Sequence, residues 1–252
     1  MWMPDGINYA GQDDIRERKH RLFSGLQTLY SALDDDMLMF LEYKPFEPSF
    51  YMTDVCDWGM SLLNCVKLGD KAKVLVDLGH HLSGVNIEQI VATLIDEGKL
   101  GAFHFNNRKY ADDDLIVGTV NPFELFLILN EIVSAQQQGL CRSITYMLDQ
   151  SHNIEPSIEG LIYSVMNVQN AYAKALIVDR AKLREAQGNC DVLGAHDVLA
   201  QAYKTDVSAL VEEARLRLGL SDVDPLHNYK NSGYALKISE ERQFTGKNTL
   251  GG

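Results

Sequence analysis

The feature that most constrains the fold of this chain is a regular alternation of short apolar runs with amphipathic segments. Four apolar runs are typical of strands and lie at residues 37–43, 73–78, 100–106 and 143–149. Segments with helical periodicity precede or separate them, at residues 13–33, 57–68, 86–98 and 122–138. Strands that alternate with helices favour parallel pairing through right-handed crossovers. The sequence therefore predicts an α/β fold around a parallel sheet buried on both faces.

The pattern changes after Pro156. Residues 157–218 contain helix formers and no strand-like run, and the segment from about residue 221 reads as a weakly ordered tail. We therefore predict an α/β part at 1–156 and a helical extension at 157–252.

Composition excludes several classes of function. The formal net charge is −12, and so acidic a chain repels phosphate backbones, which argues against nucleic acid as a partner. No apolar run approaches the roughly 20 residues of a membrane span, and the first residues lack the basic and apolar regions of a signal peptide. The four cysteines form no CxxC pair. We therefore expect reduced thiols, no membrane partner and a cytoplasmic location.

Ionisable residues lie at or near the end of every predicted strand. They are Glu42, Asp77, His104 and Asp149, each 27 to 45 positions after the one before, or about one strand–helix unit. Parallel strands bring such residues to one end of a sheet, where α/β barrels place their active sites. A single polar residue there is more often a local cap. Three carboxylates together repel one another unless a cation joins them, so the set indicates a divalent ion, with Mn, Mg, Co and Zn all open.

A second possible set lies close by. His80 follows Asp77 by three positions, and Asp112 and Asp114 lie in an acidic run after the strand that carries His104. A solvated acidic turn is the alternative for that run. Lys44 shares a strand face with Glu42, either as a simple ion pair or as a cation that polarises a substrate oxygen.

Longer motifs in the chain resemble L-rhamnose isomerases. The similarity extends over nearly the whole chain and is carried by WMPDG at 2–6, LEYKPFEP at 41–48, VDLGHH at 76–81, FHFNNRKYADDDL at 103–115, MLDQSHNIEP at 147–156 and NVQNAYAKALIVDRAKL at 167–183.

The resemblance implies part of a xylose-isomerase-like (β/α)8 TIM barrel, its C-terminal strands, that holds two divalent ions. Manganese is the ion we expect first, with Zn, Co and Mg as alternatives. The implied ligands of the first ion are Glu42, Asp77, His104 and Asp149, and those of the second are His80, Asp112 and Asp114, with Asp77 as a candidate for sharing between the two ions. The implied catalytic residues are Lys44, His80, Asp112 and Asp149.

The resemblance also implies a reaction, a substrate site and an assembly. Trp2 resembles a tryptophan that packs on the apolar face of the sugar, and Lys44 a lysine beside its carbonyl. The reaction would interconvert L-rhamnose and L-rhamnulose, with hydrogen moving between C1 and C2 as hydride or as proton. We expect a neutral sugar substrate and a homo-oligomer, a tetramer in the family, with the extension at 157–252 mediating assembly.

One departure from the family concerns its first strands. The similarity begins near the end of the fourth barrel strand, so we expect a truncated chain that is poorly active alone. Two alternatives remain: an inactive remnant or assembly module, and another metal-dependent isomerase or epimerase of the same barrel superfamily.

Overall fold

The computed structural model describes residues 1, 6–45, 50–141 and 143–242. The strands of this part are β1 (Gly6–Ile7), β2 (Met39–Glu42), β3 (Met52–Thr53), β4 (Ala72–Asp77), β5 (Leu100–Phe105) and β6 (Thr145–Leu148). The helices are α1 (Ile15–Ser31), α2 (Trp58–Leu68), α3 (Ile87–Asp96), α4 (Pro122–Gln137), α5 (Ser157–Leu176), α6 (Arg180–Gly188), α7 (Val192–Lys204), α8 (Ser208–Arg217), α9 (Pro225–Asn231) and α10 (Tyr234–Glu241).

The four predicted strands form one parallel sheet, in the order β2–β4–β5–β6. Helices α2, α3 and α4 lie between successive strands of this sheet along the chain. The prediction of an α/β fold with a parallel sheet is therefore confirmed. In the described residues the sheet has four strands and is not closed into a barrel.

Between two consecutive pairs of the β4–β5 ladder, strand β5 has one residue that β4 lacks. Val74 pairs with Leu100, but Leu75 pairs with Ala102, so Gly101 is an extra residue between the two pairs. A Cβ at Gly101 would lie 2.5 Å from the Cβ of Lys73 and 2.7 Å from Cδ1 of Phe40. Only glycine fits so close to these side chains. Glycine within a strand often marks a bulge of this kind.

Side-chain caps set where the crossover helices begin. Asp57, Asn86 and Asn121 each accept a hydrogen bond from a backbone N–H in the first turn of α2, α3 and α4. Pro122 occupies the first turn of α4, where its missing N–H breaks no helical bond. Apolar side chains of these helices and of the sheet together form the main core.

A small second sheet lies beside the first. Strands β1 and β3 pair antiparallel, and the sequence did not predict them because each has only two residues. Met1 lies along β2: its amino group donates to the carbonyl of Phe40 at 2.5 Å, and its carbonyl accepts from the Glu42 N–H at 2.8 Å. This is parallel strand pairing, so the edge of β2 away from β4 is partly covered.

The described residues after Pro156 contain only helices, and α5 contacts α4, α7, α8 and α9. The prediction of a weakly ordered tail from residue 221 is wrong up to residue 241, because α9 and α10 form there. Asp224 caps α9 by accepting from the His227 N–H, and Gly233 separates the two helices with a positive φ of 68°. No helix among the described residues is long and apolar enough to cross a membrane.

Candidate metal centre

Four side chains converge at the carboxyl end of the parallel sheet. They are Glu42, Asp77, His104 and Asp149, and each offers one ligand atom within 4.8 Å of the other three. Glu42 is the last residue of β2 and Asp77 the last of β4, and Asp149 follows β6 directly. The structure thus brings together all four residues of the first predicted set.

Strand register explains why these side chains share one face. Asp77 pairs with His104 across β4 and β5, and His104 pairs with Met147 of β6. Asp149 lies two positions after Met147 and so points to the same side of the sheet. Glu42 pairs with Leu75, two positions before Asp77, and also points to that side.

The imidazole of His104 is surrounded by carboxylates. Its Nδ1 lies 3.0 Å from Oε1 of Glu42, 3.2 Å from Oδ2 of Asp149 and 3.6 Å from Oδ2 of Asp77. Burial alone would lower the pKa of His104, but the acceptors Asp77 and Glu42 and the charge of Asp149 outweigh it and raise that pKa to about 10. Without an ion, a proton on His104 therefore balances part of the negative charge.

The chemistry of this donor set fits a divalent cation. Glu42 is 5% exposed and Asp77 is fully buried, so two of the three carboxylates are largely removed from water. Buried like charges are unfavourable unless a cation or protons compensate them. Three carboxylates and one imidazole are ligands that Mn²⁺, Co²⁺, Zn²⁺ and Mg²⁺ all accept, and binding an ion would release the His104 proton.

The second predicted set is only partly assembled. Nε2 of His80 lies 3.3 Å from Oδ1 of Asp112, but Asp114 is held elsewhere, by the Ser151 hydroxyl at 3.2 Å and the Asn106 amide at 3.4 Å. Within the described residues, no second group of three or more such side chains meets the spacing of the first. The assignment of a second ion to His80, Asp112 and Asp114 stays a prediction.

Charge interactions tie the second set to the first. Burial opposes protonation of His80, but Asp112, Asp77 and Glu42 together raise its pKa. The His80 imidazole and the Lys44 ammonium hold the pKa of Asp112 well below its usual range. Burial and the nearby charges of Asp112 and Asp77 raise the pKa of Asp114 to about 6.

Lys44 forms an ion pair with Asp112. One alternative from the sequence was an ion pair between Lys44 and Glu42 instead. The Nζ of Lys44 lies 2.5 Å from Oδ2 of Asp112, and the Lys44 side chain is largely buried. Asp112 thus lies between two basic groups, Lys44 and His80. This arrangement places a cation beside the four-residue cluster, where it could contact a substrate oxygen. Trp2, the other residue predicted to contact substrate, lies outside the described residues.

Tyr43 and His81 form a buried pair next to His80. His81 is buried and its Nε2 lies 3.1 Å from the Tyr43 hydroxyl, while the Tyr43 carbonyl lies 2.9 Å from Nδ1 of His80. Burial lowers the pKa of His81 to about 4, so the ring is neutral at physiological pH. The contact between the Tyr43 carbonyl and His80 leaves Nε2 of His80 to face Asp112.

The described residues also include one polar partner of the cluster that belongs to neither predicted ligand set. Asn106 is fully buried, and its amide donates to both carboxylate oxygens of Asp77, at 3.0 and 3.1 Å. The only sequence signal was its position, two residues after His104 and therefore on the same side of the strand.

Comparison with known proteins finds relatives of this chain. No protein-family model matches the chain. A protein of Mesorhizobium japonicum and one of Rhizobium meliloti, both described as a probable sugar isomerase, are each 45% identical to it over 243 residues. These residues are 96% of this chain and 56% of each relative, so the chain spans little more than half their length. Over nearly all of its own length, the chain is therefore similar to part of two proteins named as sugar isomerases.

Proposed function

We propose that this chain carries the ion-binding part of an aldose–ketose isomerase that interconverts L-rhamnose and L-rhamnulose. The observation that carries the proposal is the convergence of Glu42, Asp77, His104 and Asp149, with ligand atoms within 4.8 Å of one another. The names of the rhizobial relatives support sugar isomerisation. The choice of L-rhamnose depends on the motif resemblance, as does the complete TIM barrel.

The side chains around the cluster suit proton movement between two neighbouring sugar oxygens. When bound by Glu42, Asp77, His104 and Asp149, a divalent ion would supply Lewis-acid polarisation of a sugar oxygen. Lys44 would donate a hydrogen bond to the carbonyl oxygen of the open-chain sugar. Asp112 contacts both Lys44 and His80, so it would hold these two groups in place while His80 takes and returns the proton of one sugar hydroxyl.

The same charges favour a neutral sugar over a sugar phosphate. Three carboxylates of the first cluster and the carboxylates of Asp112 and Asp114 lie at this end of the sheet. A phosphate dianion would be repelled there. We expect L-rhamnose to be isomerised and phosphorylated ketoses to be left unchanged.

The test measures ion binding and turnover separately. Calorimetry with Mn²⁺ should show binding to the chain that disappears in Asp77→Asn, because the amide keeps the shape of the carboxylate but not its charge. Asp179→Asn, which alters only the exposed cap of α6, is the matched control and should bind like the wild type. Unchanged binding by Asp77→Asn would overturn the ion site, and turnover of a sugar phosphate in preference to L-rhamnose would overturn the substrate.

We also propose that the helices after Pro156 mediate a homo-oligomer. Several apolar side chains of this region are mostly exposed, among them Val192 (76%), Leu193 (81%), Leu218 (77%) and Leu236 (73%). Light scattering on the chain should give a mass above that of one copy. A purely monomeric mass across micromolar concentrations would contradict this assembly.

A further inference from the structure

The inference concerns the amide of Asn106, just beyond the carboxyl end of β5. Its Nδ2 donates to Asp77 at 3.0 and 3.1 Å and to Oδ1 of Asp114 at 3.4 Å. The side chain is fully buried. One amide group thus contacts a carboxylate of the four-residue cluster and a carboxylate of the second predicted set.

The orientation of this amide follows from the chemistry of its neighbours. A carboxylate can only accept hydrogen bonds, so the NH2 group of Asn106 must face Asp77 and Asp114. Its Oδ1 is then turned away and is one of the buried atoms without a hydrogen-bond partner among the described residues. It lies against Gly79, where a Cβ would be only 3.0 Å away. An unpaired buried acceptor is unfavourable. The hydrogen bonds from Asn106 to the two carboxylates therefore contribute more to stability than the unpaired Oδ1 costs.

A neutral donor has an advantage at this position. An Arg or Lys in contact with Asp77 would cancel the charge that attracts a divalent ion. An amide instead holds the carboxylate by directed hydrogen bonds and leaves its negative charge for the ion. The Gly79 N–H adds a further bond to Oδ1 of Asp77, at 2.7 Å. Asp77 is therefore held in place by two neutral groups.

We propose that Asn106 is a positioning residue that aligns Asp77 for the divalent ion and links it to Asp114. This inference rests on the proposed ion site. Groups that hydrogen-bond ion ligands fix the ligand orientation, and their loss typically weakens ion affinity by about 10- to 100-fold. The Asp114 carboxylate is also held by the Ser151 hydroxyl, at 3.2 Å.

Two substitutions separate hydrogen bonding from packing. Asn106→Leu keeps nearly the same volume but has no donor, whereas Asn106→Ala removes the donor and also leaves a void. We expect both to lower the affinity for Mn²⁺ by about 10- to 100-fold, measured by calorimetry. The spectrum of bound Mn²⁺ in electron paramagnetic resonance should also change, since the symmetry of its ligands depends on the angle of Asp77.

Asn130→Ala is the matched control, because Asn130 is also buried but lies on α4, where its Oδ1 accepts from Arg180. It should destabilise the fold without altering Mn²⁺ affinity. Wild-type affinity in Asn106→Leu would overturn the inference and leave the proposed function standing. If Asn106→Leu does not fold, wild-type affinity and an unchanged Mn²⁺ spectrum in Asn106→Ala would overturn it equally. Absence of Mn²⁺ binding by the wild-type chain would overturn both.

Discussion

Lys99 is a buried cation that serves the backbone rather than the candidate site. Its ammonium donates to the carbonyls of Cys65, Gly69 and Ala72, at 3.1, 2.8 and 3.3 Å, and so joins the end of α2 to the start of β4. Lys99→Met keeps the length of the side chain but removes these donors. We expect a loss of about 1–3 kcal/mol in the free energy of unfolding, measured with urea.

The control for this change is Lys182→Met, because Lys182 lies on the exposed surface of α6. Its effect on the free energy of unfolding should stay within about 0.5 kcal/mol. Equal stability of Lys99→Met and the wild type would show that the three carbonyls need no side-chain donor.

Gly79 leaves the space in which Asp77 and Asn106 meet. An added Cβ would lie 3.2 Å from Oδ1 of Asp77 and 3.0 Å from Oδ1 of Asn106. We expect Gly79→Ala to destabilise the protein by about 1–3 kcal/mol, as overpacking does in a buried region, and to weaken Mn²⁺ binding. Thermal unfolding with chelator and calorimetry with Mn²⁺ measure the two effects. Wild-type values in both would mean that the Asn106 side chain moves aside without loss.

Residue chemistry predicted the members of the candidate cluster better than their partners. Glu42, Asp77, His104 and Asp149 could be placed together because strand ends align in a parallel sheet. The pairing of Lys44 with Asp112 could not, because it depends on the path of a loop. Asn106 looked like any polar residue at a strand end. Its contacts with Asp77 are visible only once the register of β4 and β5 is known.

Helix α3 begins at a cap whose contribution can be measured. The Asn86 side chain accepts from the Gln89 N–H at 2.7 Å and satisfies a backbone donor that has no helical partner. We expect Asn86→Ala to lower the free energy of unfolding by about 0.5–2 kcal/mol, and Asn86→Gly by only a few tenths. Urea unfolding of the two variants would show the difference. An unchanged free energy of unfolding in Asn86→Ala would contradict a capping role for the Asn86 side chain.

Secondary structure was predictable where periodicity persists over many residues. The run at 86–98 became α3, at Ile87–Asp96, and the run at 100–106 became β5, at Leu100–Phe105. The ends shifted by a residue or two because caps, not apolar periodicity, set them. The two-residue strands β1 and β3 are too short for any period to be visible. Helices α9 and α10 were missed because Pro225 and Gly233 looked like breaks, whereas one lies in the first turn of a helix and the other between two helices.

At the scale of the whole molecule, the candidate centre lies on an open sheet. The outer strand β6 begins with Thr145 and Tyr146, which are both exposed, and Asp149 is 56% exposed. The other three members of the cluster are more deeply covered. A pocket that holds a sugar needs walls on every side, and here the side beyond β6 is open in the described residues.

We therefore expect a polypeptide of residues 1–252 to turn over L-rhamnose slowly even with Mn²⁺. The comparison is a longer version joined to the part of a rhizobial relative that this chain does not cover. Misplacement of a substrate by about 1 Å costs about 100-fold in rate, so we expect a difference of at least that size. The measurement is L-rhamnulose formed per chain. Comparable rates would mean that the open sheet closes its pocket in another way, for instance through a second copy.

The extra residue in β5 has a consequence for which changes in chain length this protein can survive. Losing one residue from a strand normally turns every later side chain to the opposite face. Gly101 is the surplus residue between two paired positions, so its deletion should straighten β5 and leave Asp77 opposite His104. Deletion of Val76 has no such surplus to absorb it and should turn Asp77 away from the cluster. Calorimetry should therefore detect Mn²⁺ binding in the Gly101 deletion and none in the Val76 deletion. Position 101 would then be one at which the chain can lose a residue and still bind the ion.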